Sequence, residues 1–230
     1  MQGMTLLLLA AAVFVGTHFL LSHPLRRPLV NAVGERLFLV IYSATAIGTL
    51  VWMVGAYRAT PASAPLWPVG DAIWLLVTIV MLLASILLMG SLVRNPALPS
   101  AGKKIQFPEA AHGVFGITRH PMMWSFALWG ACHILVFPVA ASIVLALAVI
   151  VLALVGAALQ DRKKEHLQPV LWPAWEAKTS YWPFVAIIKG TARLGHFGAH
   201  AIGGGLIIWL VATYLHKPLA GIVAGIWRWL

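Results

Sequence analysis

Residues 116–160 read GITRHPMMWSFALWGACHILVFPVAASIVLALAVIVLALVGAALQ. From Pro121 to Leu159 there is no Asp, Glu, Lys or Arg, and the one obvious break is Phe137-Pro138. About 20 apolar residues, each rising 1.5 Å, cross a bilayer core, so this stretch holds two spans. A proline at the midpoint does not continue the first helix. The expectation is a tight helical hairpin in lipid, with spans at 121–137 and 138–160.

Four further apolar runs, at 5–21, 37–57, 72–93 and 197–215, bring the expected total to six spans. The composition agrees, with 61% hydrophobic and 10% charged residues and a mean hydropathy of +0.89. Such a chain is a multi-pass membrane protein and not a soluble domain. The expected fold is therefore all-α, a single membrane helix bundle over residues 1–230. The last stretch, PLAGIVAGIWRWL, is too short to cross, and its tryptophans and arginine suit a short interfacial helix. The N-terminal run lacks a basic leader and reads as a retained first span.

A net charge of +10 raises the question of nucleic acid. The charges instead sit between apolar runs, which excludes it. Connections 22–36, 94–120 and 161–196 hold 3, 4 and 6 basic residues, whereas the other side has only Arg58, Lys217 and Arg228. The positive-inside rule puts those three connections in the cytoplasm and both termini outside. The proline-punctuated connection RNPALPSAGKKIQFPEAAHG is long enough to fold back over a site. One cysteine leaves the redox compartment open.

Within the spans, His18 and His133 stand out. Ionisable side chains at membrane depth face the bundle interior and are functional candidates by default. Neutral imidazole ligates iron, copper or zinc, and it also hydrogen-bonds neighbouring helices. Arg119 and His120 precede Pro121, which fits the first turn of a helix. Arg119 is placed to meet headgroups or an anionic ligand. His196 and His200 share a helix face but lack a nearby carboxylate, and His112 reads as a loop residue. His23, His166 and His216 flank spans and read as interfacial. Cys132, about 100° around the helix from His133, reads as packing.

In order along the chain come H-x(4)-H-P-L-R at His18–Arg26, GER at 34–36, YS at 42–43, NPALP at 95–99 and ITRHP at 117–121. ALWGACH at 127–133, Asp161-Arg162 and TSYWPF at 179–184 follow. Over about residues 14–190 these landmarks resemble the NnrU family of bacterial membrane proteins. That family is similar to plant zeta-carotene isomerase, a haem b enzyme that isomerises a polyene double bond. The resemblance implies a bacterial inner-membrane location with periplasmic termini, a haem b ligated by His18 and His133, and an apolar substrate. Arg119 and Arg26 are the implied partners of the haem propionates. The position of the isomerase's cysteine is occupied here by Gly130. By depth along the spans, His18 is level with His120, so His120 is the alternative second ligand. The NnrU name also implies another role, a non-enzymatic factor supporting nitrite and nitric oxide reduction. A third resemblance, to RHP-containing membrane methyltransferases that use S-adenosylmethionine, departs at Met123 and at Lys164-Glu165, which offers a single acid.

Overall fold

In the computed structural model, residues 2–98 and 107–230 are described, and the expected fold-back of residues 99–106 lies outside them. Six helices form the bundle: α1 (Gln2–Ser22), α3 (Glu35–Ala59), α4 (Asp71–Gly90), α6 (Pro121–Val136), α7 (Ala140–Leu167) and α10 (Gly198–Ala220). Short helices α2 (Arg26–Val33), α5 (Val114–Ile117), α8 (Leu171–Glu176) and α9 (Val185–Ile188) fill the basic connections. No strand occurs among the described residues.

The helices pack in the order α3, α1, α7, α6, α4, α10, each on its neighbours in that row. Alanines and glycines let backbones approach at these seams, as expected where lipid supplies no hydrophobic drive between helices. Ala10, Ala11, Ala56, Ala141 and Ala148 lie in the α1–α3–α7 seam. A Cβ on Gly205 would come within 2.7 Å of the Ile86 backbone on α4. A Cβ on Gly130 would stand 3.0 Å from the Ala146 carbonyl on α7. Leu8, Leu9, Val40, Ile47, Val51 and Ile207 are exposed on the outer faces. Such apolar exterior matches a bilayer, and the protein is a multi-pass membrane protein.

Five of the six helices are long and apolar enough to span, and α6 has only 16 residues. It covers about 24 Å against a core of about 30 Å. The chain leading into its start is bonded to a second folded segment, with Arg119 N–H on the Ser180 carbonyl and Phe184 N–H on the Ile117 carbonyl. The hairpin expected at Phe137-Pro138 is present. Phe137 N–H donates to the His133 carbonyl at 2.9 Å and Val139 N–H to the Phe137 carbonyl at 2.9 Å. The α3–α4 loop reaches over this tip, with Leu66 N–H on the Pro138 carbonyl and Trp67 Nε1 on the Leu135 carbonyl.

The C-terminus differs from the expected interfacial helix. Residues 218–220 complete α10, Gly221 ends it at φ 71°, and a single 3₁₀ turn, Gly225–Arg228, hooks back. Trp227 Nε1 donates to Thr213 Oγ1 at 3.1 Å and Arg228 reaches Asp71 at 2.9 Å. The hook satisfies its polar groups on α10 and α4, which a free helix on the headgroups would leave to water.

Candidate functional site

The bundle has two chemically distinct ends. At the basic end, Thr118 is extended (φ −155°) and its Oγ1 donates to the Tyr181 carbonyl at 2.7 Å. Arg119 N–H donates to the Ser180 carbonyl at 2.8 Å, and Phe184 N–H to the Ile117 carbonyl at 2.8 Å. ITRHP and TSYWPF are therefore stitched together. From this clamp, Arg119 sends Nε and a terminal nitrogen to Asp161 Oδ2 at 2.9 and 2.6 Å, and also meets Glu176 at 3.0 Å. His120, 1% exposed, bonds the other Asp161 oxygen through Nε2 at 2.7 Å. NPALP joins as well: Lys164 Nζ donates to the Pro96 carbonyl at 3.0 Å and Gln160 to the Ala97 carbonyl at 2.7 Å.

Charges this deep persist only when paired and hydrogen-bonded. Both Asp161 oxygens are used, and Arg119 is shared by two acids. Burial pushes the Glu176 carboxyl above its ordinary range, with Asp161 and Glu165 adding to the rise and Arg119 opposing it. The cluster is thus almost closed on itself. Among the described residues His120 Nδ1 stays unpaired here, in a ring flanked by Trp172 and Tyr181 at 6.4 and 5.8 Å, and so do the indole nitrogens of Trp172 and Trp175.

At the opposite end lies a cavity of about 570 Å³ between α3, α4, α6, α7 and α10, with the C-terminal hook across it. Its wall is mainly apolar, with Trp74, Trp129 and Trp209 prominent. His133, His216 and Arg58 are its main titratable groups. His133 Nδ1 lies 2.7 Å from the Trp129 carbonyl and its ring is stacked at 4.1 Å on Trp129.

The family model described as NnrU protein matches residues 6–224. The chain belongs to the NnrU family. No curated protein and no solved structure matches it.

In this NnrU-family chain the expected site residues are dispersed. His18 sits on α1 with Nδ1 2.6 Å from the Phe14 carbonyl and its ring edge-on to Phe14 and Tyr42. Along α7, Phe19 lies beside Gly156, whereas Gly130 lies beside Ala146 and Ile150, and His133 is almost a turn beyond Gly130. Ten or more residues of α7 separate the two levels, about 15 Å of depth. Helix α7 also stands between α1 and α6, which do not pack on each other. Two imidazoles on one iron need their nitrogens about 4 Å apart, on the scale of two metal–nitrogen bonds. His18 and His133 do not fit that arrangement. His120 keeps Nδ1 free while Asp161 holds its Nε2, but it heads α6, which does not pack on the α1 that carries His18.

The expected propionate partners are likewise engaged. Arg119 is bound to Asp161 and Glu176, and Arg26 meets Glu35 at 3.3 Å. His196 and His200 gain no carboxylate among the described residues. Among the described residues, no group of three or more His, Cys, Asp or Glu is arranged to hold a metal.

Reading the sequence missed the roles of Asp161, Glu176 and His216. A signal existed for the acids: the chain has only 6, so two following an Arg-His pair by 42 and 57 positions invite pairing. Nothing in the sequence joins His216 to His133.

Proposed function

We propose that this NnrU-family protein binds a long apolar small molecule within the membrane, in the cavity beside His133. The carrying observation is that cavity, about 570 Å³ of mainly apolar wall shared by five helices. Its size lies in the range of small-molecule sites, which combine apolar walls with a few polar groups. A polyene is the ligand class implied by the resemblance to zeta-carotene isomerase, and cis-trans isomerisation the implied reaction. The tryptophan-lined wall would stack on a conjugated chain, and His133 would fix one end of it.

By the resemblance to zeta-carotene isomerase, a bound haem b would supply reversible electron donation to a polyene. With His18 out of reach, no two-histidine haem site follows from that resemblance, and no step here is routed through the group. The chain's own part is to exclude water, hold the polyene extended and restrict which bond can turn.

The test is fluorescence of the purified protein in detergent on titration with a linear carotenoid. Saturable quenching, lost when Ala212 on the cavity wall is replaced by Phe, is the expected result. Unsaturable quenching unaffected by Ala212→Phe would refute the reading. An absorption spectrum, oxidised and dithionite-reduced, tests haem separately through a Soret band.

A further inference from the structure

We propose that His133 and His216 form a binding site for a divalent transition metal ion of the copper–zinc group at the wall of the cavity. Helices α6 and α10 do not pack on one another, yet these two side chains meet across the gap. Their ring centroids are 6.2 Å apart and their planes tilt by 33°. Two metal–nitrogen bonds of about 2 Å, with roughly an ångström from each nitrogen to its ring centre, span about 6 Å. The separation suits one ion when the two Nε2 atoms face each other in a near-linear arrangement. A tetrahedral angle needs the rings about 1 Å closer, a change that side-chain rotation supplies without moving either helix.

The protonation pattern is set by the backbone. His133 Nδ1 is 2.7 Å from the Trp129 carbonyl, and His216 Nδ1 is 2.6 Å from the Ala212 carbonyl. A carbonyl oxygen only accepts, so each Nδ1 carries the proton. Each neutral ring then presents a bare Nε2 lone pair. This is the arrangement that fixes tautomer and orientation in metal-ligating histidines. Neither Nε2 has a partner among the described residues, although both side chains line a mainly apolar wall. Imidazole-only donors favour copper, zinc or nickel over magnesium or calcium. Two protein ligands leave the other coordination positions to water or an anion, and Arg58 on the same wall favours an anion.

The inference does not depend on the apolar ligand. It is tested by titrating chelator-stripped, detergent-solubilised protein with Zn²⁺ in a calorimeter, and with Co²⁺ to read the d–d absorption of a nitrogen-ligated ion. One ion per chain is expected. His133→Ala and His216→Ala should each weaken binding by more than about 100-fold, because each removes one of two direct ligands, a larger loss than the roughly 10- to 100-fold that removal of an outer-shell partner costs. His18→Ala and His200→Ala should bind as the wild type does. His133→Gln and His216→Gln, checked by gel filtration for an intact fold, guard against loss through misfolding. Equal binding by all variants, loss in only one of the pair, or no binding below a millimolar would overturn the assignment.

Discussion

Each end of the bundle carries an arginine–aspartate pair, and the two are not equivalent. Arg119–Asp161 closes at 2.6 Å with side chains 13% and 9% exposed, whereas Arg228–Asp71 closes at 2.9 Å with 34% and 78% exposed. The first is enclosed by Glu176, His120 and the Thr118 clamp. The second lies at the edge of the cavity, beside Trp74. Similar chemistry thus serves two purposes. Buried and doubly bonded, the pair ties ITRHP to α7, where Gln160 and Lys164 hold NPALP. Exposed, it only fastens a hook over a chamber.

The largest expected effect follows from that burial. Asp161→Ala leaves Arg119 with one acid and His120 with none. The loss should be about 3–5 kcal/mol, the scale for breaking a buried ion pair from one side. Denaturant unfolding in detergent measures it. A loss below 1 kcal/mol would make the two pairs alike and remove the distinction.

A smaller effect is expected at the hook. Gly225 has φ +62°, and a Cβ there would lie 2.7 Å from the Thr213 side chain. Gly225→Ala should cost about 1–3 kcal/mol through overpacking and a strained φ. Faster proteolysis of the last ten residues would show the hook released. An unchanged digestion pattern would show that the hook is held by something else.

The smallest effect is Arg228→Ala. An exposed pair contributes at most about 1 kcal/mol, and high salt should reduce even that. A melting temperature clearly below the wild type at high salt would place this pair on a par with the buried one.

Much of the fold was legible because lipid imposes a simple rule. Uncharged runs of sufficient length become helices, and Phe137-Pro138 becomes a turn. The length of α6 was legible, but the pairing of the chain leading into it with residues 180–184 was not. The C-terminal hook was not legible, since Trp227 finds Thr213 through tertiary packing that no period in the sequence records. At the site, the sequence marked Arg119, His120, His18 and His133 by residue type and context. It did not reveal which of them meet. His120 bonds Asp161 and His133 meets His216 across helices distant in the chain, while α7 separates His18 from both. Three of these histidines, His18, His133 and His216, pin Nδ1 to a carbonyl four residues back, and only His120 is held through Nε2. That distinction depends on rotamers, which spacing does not report.

The topology expected from the basic residues puts the two ends on opposite sides of the membrane. Reporter fusions at Ala62 and Lys178 should give opposite signals, with Lys178 cytoplasmic. The same signal from both would break the assignment of the ends.

The most direct test of the division between the ends is carotenoid quenching measured alongside unfolding, on wild type, Ala212→Phe and Asp161→Asn. The account predicts that Ala212→Phe loses saturable quenching and unfolds at nearly the wild-type denaturant concentration. Asp161→Asn should unfold much earlier, while its remaining folded fraction still binds carotenoid. Loss of binding in Asp161→Asn at wild-type stability would contradict it, placing the ligand at the basic end instead.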